Sequence, residues 1–321
     1  MIIHHLIALT IALFIDRMIG DPPNWPHPVR WIGSLIAKLD KSWNKGSKRK
    51  LAGICMLVTV LLVVGGIALL IVSVFYSLHV VAGILAEAMM ISTTIAERSL
   101  KEAAMTVYAP LEKGDLAEAR RKLSYIVGRD TEKLDESEIV RAAVETVAEN
   151  TSDGITAPLF WALIGGAPFA LIYRAINTCD SMVGYRNEKY EDFGWASARL
   201  DDVVNWIPSR LTSICMLAGS RPAFSNQADA WKIVFRDAKK HPSPNSGWGE
   251  APVAAILGIQ LGGINYYKGI LSNRATMGDP VVEIEKDHIR KTNKIVSHTV
   301  PLFLIMLWLG GICFELTRTW F

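Results

Sequence analysis

Five long stretches of the chain carry no charged side chain, and they dominate its pattern of hydrophobic and polar positions. Asp, Glu, Lys and Arg are absent from residues 1–15, 51–86, 154–173, 251–267 and 295–314. A helix needs about 20 apolar residues to cross the hydrocarbon core of a bilayer. The pattern therefore predicts an all-α polytopic integral membrane protein, with about five to seven membrane-embedded helices or half-helices and amphipathic helices on its polar side.

Two alternatives to membrane spans are weaker. Soluble proteins rarely contain a helix of 36 residues without a charged face, which argues against a large soluble core. The first window lacks the basic start and small-residue cleavage site of a signal peptide, so we expect it to stay as a helix. A sixth window, 203–220, is a poorer candidate span because it contains Asn205, Pro208 and Arg210.

Two of the windows contain glycine pairs that predict breaks. Residues 51–86 would form a helix of about 54 Å, longer than one span, and Gly65-Gly66 suggests a hairpin or a break in it. In 154–173, Gly165-Gly166 and the flanking prolines Pro158 and Pro168 favour a re-entrant hairpin over a single crossing. Labelling of cysteines introduced beside 149 and 186 would distinguish these two paths.

The polar segments indicate how the chain is oriented in the membrane and contain further predicted helices. Residues 16–50 contain 8 Lys and Arg against 3 Asp, which predicts a cytoplasmic loop. The pattern over residues 87–153 predicts amphipathic helices, with a capping signal at Asp115 and Glu118 and a second helix from about Asp135. No linker interrupts the chain, so we expect one membrane-embedded catalytic domain over 1–321 with this helical segment inside it.

Composition excludes several function classes. The net charge of +3 comes without a basic stripe, so we expect no nucleic-acid partner. The four cysteines form no CxxC pair, and the P-loop, HExxH, GxSxG and GxGxxG motifs are all absent. Polar residues instead crowd the edges of the apolar windows, in the blocks 16–23, 149–154, 177–186 and 244–250.

These edges contain more acids, amides and arginines than helix caps or turns require. Carboxylates and carboxamides suit Mg²⁺, which binds one or two carboxylates together with phosphate oxygens. The glycine-containing turn at 243–250, which leads into a helix, has the form of a phosphate site. Four arginines are candidates for bidentate phosphate or carboxylate binding, with surface salt bridges as the simpler alternative: Arg174, Arg186, Arg199 and Arg210.

Five sequence blocks in register resemble the CobD/CbiB family of cobalamin biosynthesis membrane proteins. They are DRMIGDPPNWPHPVRWIG (16–33), ENTSDGITAPLFW (149–161), NTCDSMVGYRN (177–187), FGWASARLDDVVNWIPSRL (193–211) and PNSGWGEAPVAAILGIQLGG (244–263). The resemblance covers nearly the whole chain. It implies an adenosylcobinamide-phosphate synthase, a carbon–nitrogen ligase that uses ATP and Mg²⁺ to join adenosylcobyric acid to (R)-1-amino-2-propanol O-2-phosphate or ethanolamine phosphate.

The resemblance and the residue chemistry together give candidate site residues. As catalytic groups we expect Asp16, Asp21, His27, Glu149, Asp153, Asp180 and Asp201, with His27 or Asp201 as the general base that removes the proton of the amine. Five of these are candidate metal ligands: Asp16, Asp21, Glu149, Asp153 and Asp180. Candidate substrate or phosphate-binding residues are Arg17, Asn150, Thr151, Ser152, Asn177, Tyr185, Arg186, Arg199, Asn245, Ser246, Gly247 and Glu250.

Two other function classes stay open at this point. A transporter or permease for a polar solute would explain the spans and broken helices, although transporters commonly collect polar groups near the membrane midplane. A membrane sensor like the AmpE group is the other alternative. For the ligase, the resemblance implies a multi-pass protein of the inner, or cytoplasmic, membrane, in contact with lipid and with other late corrinoid-synthesis membrane enzymes.

Overall fold

A computed structural model describes residues 1–22 and 26–318, and it is 73% helical. Among the described residues, five helical segments are long and apolar enough to cross a membrane: Ile2–Ile19, Arg49–Leu78, Val80–Glu112, Glu136–Val183 and Asp287–Thr317. The predicted all-α, multi-pass membrane architecture is therefore confirmed. Residues 23–25, which belong to the first of the five sequence blocks, lie outside the described part of the chain.

The chain divides into two compact units. Unit 1 consists of Met1–Ala96, Ala157–Asn205 and Leu304–Phe321, and unit 2 of Glu97–Thr156 and Trp206–Phe303. Unit 1 contains α1 (Ile2–Ile19), α2 (Pro28–Trp43), α3 (Arg49–Leu78) and α4 (Val80–Ser92), followed by α8 (Ala157–Val183) and α9 (Trp195–Val204). The last part of α13 (Asp287–Arg318) also belongs to unit 1.

Unit 2 begins with α5 (Glu97–Glu112), α6 (Leu116–Leu123), α7 (Glu136–Thr151) and a π-helical turn, Ser152–Thr156. It continues with α10 (Trp206–Gly219), α11 (Gln227–Asp237), α12 (Gly247–Leu257), the strands β1 (Leu261–Tyr267) and β2 (Ile270–Met277), and the first part of α13. The two strands pair antiparallel as a hairpin, which the sequence pattern did not predict. The predicted helix starts are confirmed: Asp115 caps α6, and Asp135 with Glu138 forms a capping box on α7.

The predicted break at Gly65-Gly66 is wrong. Both glycines lie within the continuous 30-residue helix α3, because a membrane-spanning helix satisfies its own backbone hydrogen bonds even where a glycine weakens it. Gly65 has a packing role, since a methyl group there would press into Ile172 of α8. The chain breaks instead at His79, whose extended backbone separates α3 from α4 and whose Nδ1 accepts the Val81 N–H at 3.2 Å.

The predicted break at Gly165-Gly166 is confirmed. Both residues leave helical geometry inside α8, and Gly166 adopts φ +63°, a conformation that favours glycine. A side chain at Gly166 would also collide with the Glu87 carboxylate and the His5 ring. These two buried groups form a hydrogen-bonded pair at 2.9 Å, so the break lies against an ionisable pair in the apolar part of unit 1.

The window 251–267 does not form a membrane span. It folds as the second part of α12, which ends at Gly258 with φ +69°, and as strand β1. All eleven residues of α12 are buried within the protein, which explains why this segment needs apolar residues without crossing a bilayer. The weak window 203–220 contains the 14-residue helix α10, which is also shorter than a span.

Candidate functional site

The predicted site residues form one polar group in each unit and a further set at the end of α1 and the start of α2, in unit 1. In unit 1, three aspartates and several amides gather at the C-terminal end of α8 and along α9. In unit 2, three glutamates gather where α7 approaches the start of α12. The last turn of α1, the loop after it and the N-cap of α2 carry the remaining predicted residues.

The carboxyl group of Asp201 is the centre of a hydrogen-bonded network with Tyr173, Asn177 and Asn205 in unit 1. Together with Asp180, whose charge acts on Asp201, we call these residues the aspartate network. Asn177 Nδ2 donates to Asp201 Oδ1 at 3.3 Å, and Asn205 Nδ2 donates to Oδ2 at 3.1 Å. The Tyr173 hydroxyl in turn donates to Asn205 Oδ1 at 2.7 Å. Both oxygens of Asp201 are thus held by carboxamides, which fixes the plane of the carboxyl group.

The electrostatics of Asp201 differ from those of an ordinary surface acid. Burial of the carboxyl group, together with the negative charges of Asp180 and Asp202, raises the pKa of Asp201 to about 7. Asp180 lies against Gly184, where a side chain would collide with its Oδ1. The predicted catalytic pair Asp180 and Asp201 is therefore brought together electrostatically, although the sequence separates the two by 21 positions.

Next to this network, unit 1 has a cavity of about 350 Å³, which we call the arginine cavity. Its lining includes Tyr185, Arg186, Trp195, Arg199 and Asp202. Burial raises the pKa of Asp202, and the opposing charges of Arg199 and Arg186 act on the same carboxyl group. The cavity thus contains the two predicted phosphate-binding arginines and Tyr185, and it lies at Gly184, beside Asp180.

In unit 2, Glu145, Glu149 and Glu250 form what we call the glutamate cluster. Ser246 Oγ donates to Glu149 Oε1 at 2.7 Å. Glu145 accepts two further contacts: Nη2 of Arg129 lies 2.5 Å from its Oε2, and the Gly262 N–H donates to its Oε1 at 2.7 Å. Burial, with the charges of Glu145 and Glu149, raises the pKa of the Glu250 carboxyl well above its usual value. Two predicted residues, Glu149 and Ser246, are therefore in direct contact.

His241 borders the glutamate cluster. Its Nδ1 accepts the Ser243 N–H at 3.0 Å, and its Nε2 lies 3.7 Å from Glu250 Oε1 and 3.5 Å from Nη1 of Arg274. Burial lowers the pKa of His241, and the charge of Glu149 opposes this shift. Four residues of this region were not among the predicted site residues: His241, Arg274, Arg129 and Glu145. Only the spacing of Glu145 and Glu149 by one helical turn could have indicated one of them.

The glycine-containing turn before α12 is closely packed. The N–H groups of Trp248, Gly249 and Glu250 donate to the carbonyls of Asn245 and Ser246. Side chains at Gly247 and Gly249 would collide with backbone carbonyls of Ala238 and Ala148. These glycines therefore have a packing role, and phosphate binding by this turn stays a prediction.

Several other predicted residues have local partners. Asn150 and Thr151 donate to carbonyls one turn earlier in α7, and Thr151 is fully buried. Ser152 and Asp153 lie in the π-helical turn, a form that is frequent at functional sites. Asn245 accepts from Arg210 at 3.1 Å, and that guanidinium lies over the rings of Trp206 and Trp248.

The four remaining predicted residues lie between the last turn of α1 and the N-cap of α2. Asp16 is buried in the last turn of α1, and Arg17 next to it is exposed. His27 caps α2, since its Nδ1 accepts the Val29 N–H at 3.3 Å, and its Nε2 lies 3.1 Å from Asp21 Oδ1. Both ring nitrogens of His27 are therefore engaged.

The predicted magnesium ligands do not form one preassembled group. Within residues 1–22 and 26–318, no set of three or more His, Cys, Asp or Glu side chains is arranged to hold a metal ion. Magnesium bound with a nucleotide needs only one or two carboxylates, because phosphate oxygens and water complete its shell. The magnesium assignment thus stays a prediction.

Comparison with known proteins gives one consistent family. The family model described as CobD/Cbib protein matches residues 9–296. The chain is 53% identical over 321 residues to a protein of Halalkalibacterium halodurans named "Cobalamin biosynthesis protein CobD", covering 99% of this chain and 100% of that protein. No solved structure matches the chain significantly.

Two further relatives have similar names. The "Cobalamin biosynthesis protein CobD" of Clostridium perfringens is 47% identical over 294 residues, which cover 91% of this chain and 93% of that protein. The "Cobalamin biosynthesis protein CbiB" of Salmonella typhimurium is 45% identical over 315 residues, which cover 94% and 96%. These matches extend over both units and over all five sequence blocks.

Proposed function

The chain belongs to the CobD/CbiB family of cobalamin biosynthesis proteins, and from this membership we propose that it is an ATP-dependent amide ligase of adenosylcobalamin synthesis. A role in cobalamin synthesis is supported by the family and by the names of its relatives. The ligase would join the propionate carboxylate of adenosylcobyric acid to (R)-1-amino-2-propanol O-2-phosphate or ethanolamine phosphate. The product would be adenosylcobinamide phosphate.

The observation that carries this proposal is the pairing of the arginine cavity with the aspartate network in unit 1. Arg186 and Arg199 line a cavity beside Asp180, and Asp201 is held within the same region. Activation of a carboxylate by ATP requires cations that bind phosphate and a group that accepts the proton of the amine. Arginine is suited to the first task because its planar guanidinium binds phosphate oxygens in pairs.

The donor chemistry of unit 1 fits magnesium. Asp180 presents a carboxylate beside the cavity, where it would hold Mg²⁺ together with the phosphates of ATP. The ion would neutralise charge that develops on the transferred phosphoryl group. Neutralisation of Asp180 would also favour the ionised, basic form of Asp201, because the charge of Asp180 is one cause of the raised pKa of Asp201.

The proposed chemistry has two steps. In the first, a propionate oxygen attacks a phosphorus atom of ATP, and the bond from that phosphorus to ADP or to pyrophosphate breaks. This gives an acyl phosphate or an acyl adenylate, respectively. In the second, the amine nitrogen attacks the acyl carbon, and the bond to phosphate or AMP breaks to leave the amide.

Asp201 is a better candidate than His27 for the base that deprotonates the amine. A pKa of about 7 suits a general base at neutral pH, and two carboxamides orient its carboxylate. His27 is less suited because its Nδ1 accepts a backbone N–H and its Nε2 faces Asp21. We therefore assign His27 a role in fixing the start of α2 and its contact with Asp21.

The decisive experiment measures the reaction directly. The purified full chain in lipid nanodiscs is mixed with adenosylcobyric acid, either amino-alcohol phosphate, ATP and Mg²⁺. We expect adenosylcobinamide phosphate by mass spectrometry, with ADP or AMP formed in equal amount and only when both substrates are present. Solute uptake into proteoliposomes without nucleotide turnover would instead support a permease, and absence of both activities would support an AmpE-like sensor.

The five candidate spans make this a multi-pass membrane protein. We propose the cytoplasmic membrane as its location, because ATP is cytoplasmic and the basic segment 16–50 favours a cytoplasmic loop. Its partners would be the two substrates, the surrounding lipid and other membrane enzymes of late corrinoid synthesis. Fractionation of cells that express a tagged chain would test the location.

A further inference from the structure

Two exposed aromatic rings line the arginine cavity, and phosphate binding does not explain them. Tyr185 is 57% exposed and Trp195 is 42% exposed, and both belong to the cavity lining together with Arg186 and Arg199. An exposed aromatic ring in a polar cavity leaves an apolar face in water, where it can bind a flat ligand. The cavity therefore offers both cations for an anionic group and aromatic faces for a ring.

The wall of this cavity is fixed rather than loosely attached. Tyr190, which also lines it, is hydrogen-bonded through its hydroxyl to Asp40 of α2 at 3.1 Å, and Lys189 donates to the same carboxylate at 3.1 Å. On another side, the Lys50 ammonium lies 4.0 Å from the centroid of the Trp195 ring. Contacts from α2 and α3 thus hold Tyr190 and Trp195 in place before any ligand arrives.

We propose that the arginine cavity is a purine-nucleotide site in which Trp195 and Tyr185 bind the base and Arg186 and Arg199 bind the phosphates. The inference rests on the proposed function, since it identifies which substrate of the ligase enters this cavity. Cavities of this size accommodate small ligands of the nucleotide class. A corrinoid is far larger than 350 Å³ allows, and an amino-alcohol phosphate has no ring that the aromatic lining could bind.

The test separates binding of the base from binding of the phosphates. Affinities for MgATP and for magnesium triphosphate, which lacks the base, are measured on the full chain in nanodiscs without a corrinoid. We expect Trp195→Ala to weaken ATP binding about tenfold, as for the loss of one base–aromatic stack, and to leave triphosphate binding unchanged. Arg199→Ala should weaken both ligands.

Two variants act as controls. Trp195→Phe keeps a ring and should recover most of the ATP affinity, which distinguishes base binding from loss of folding. Trp31→Ala removes another exposed tryptophan of unit 1, outside this cavity, and should bind both ligands like the wild type. The inference is overturned if Trp195→Ala binds ATP normally, if it weakens triphosphate equally, or if an amino-alcohol phosphate displaces ATP competitively.

This inference and the proposed function fail in different ways. Base-dependent ATP binding without any amide product would support the nucleotide site and reject the ligase assignment. Amide formation with an unchanged KM for ATP in both Trp195→Ala and Tyr185→Ala would support the ligase and reject this cavity as the site of the base.

Discussion

The hydroxyl of Ser246 donates a 2.7 Å hydrogen bond to Oε1 of Glu149, and this contact joins two sequence blocks that lie 97 residues apart. Glu149 comes from the last turns of α7, while Ser246 precedes the first residue of α12. Both blocks belong to the resemblance by which the family was first indicated. The contact shows that these blocks meet within unit 2 and gives each of them a definite structural role.

Substitution of Ser246 by Ala should reduce turnover if Glu149 is part of the ligase site. A hydrogen bond to a charged group contributes about 1.5–3 kcal/mol, so we expect kcat to fall roughly 10- to 100-fold. Steady-state kinetics on purified protein would measure this, with Ser124→Ala as control because its hydroxyl donates only to a carbonyl of its own helix end. Unchanged kcat in Ser246→Ala would argue against a catalytic role for Glu149.

Substitution of Asp201 by Asn should nearly abolish amide formation while substrate binding persists. The variant keeps the size of the side chain, but an amide cannot accept the proton of the amine. We therefore expect kcat to fall at least 100-fold, the lower range for loss of a general base, with KM values changed much less. Asp192→Asn, at an exposed aspartate that does not line the arginine cavity, is the matched control, and activity of Asp201→Asn near the wild-type level would assign the proton transfer elsewhere.

Substitution of Gly166 by Ala should destabilise the protein much more than substitution of Gly66. At Gly166 the new methyl group would meet Glu87 and His5, and the backbone has φ +63°. Strain and overpacking of this kind cost about 1–3 kcal/mol each. Gly66 is helical with no atom within 4 Å of a new methyl group, so Ala should be tolerated there.

Thermal unfolding in detergent would measure this difference. Equal melting temperatures for the two alanine variants would show that the break in α8 is not fixed by the Glu87–His5 pair. Combining Gly166→Ala with Glu87→Ala should recover part of the loss, because the second change removes one side of the collision.

Asp237 should stabilise unit 2 at neutral pH and lose this effect in acid. Its buried carboxylate is bound by Arg236, Lys240 and the Gly278 N–H, and these contacts hold its pKa below the usual value although burial alone would raise it. Because the folded state has the lower pKa, the stabilisation is complete above about pH 4 and disappears as the pH falls further.

Asp237→Asn should therefore lower the stability by about 1.5–3 kcal/mol at pH 7. The difference from the wild type should shrink below about pH 4, where this carboxyl group binds a proton in the unfolded chain while it is still ionised in the folded protein. Melting curves at several pH values would measure this difference in stability. Asp229 pairs with Lys232 at the surface, so Asp229→Asn serves as a control that should change the stability only slightly. A difference that is independent of pH would exclude the charge of Asp237 as its cause.

The sequence alone determined the features that depend on composition over one or two helices. The charge-free windows 1–15 and 295–314 correspond to α1 and to the larger part of α13, because a bilayer requires a span to be both long and apolar. Asp115 and Asp135 began helices as expected, since capping needs only neighbouring backbone N–H groups. The Gly165-Gly166 break followed from the conformational freedom of glycine.

The tertiary structure decided what depends on distant partners. The window 251–267 is as apolar as a span, but burial in protein and burial in lipid select the same residues, so hydropathy could not identify α12 and β1 as interior elements. Gly65-Gly66 stayed helical for a similar reason, because contacts to α8 and not local propensity decide its form. Glu149 and Ser246 meet, and the charge of Asp180 acts on Asp201, only because packing offsets the entropy of closing long loops, and no local pattern predicts that outcome.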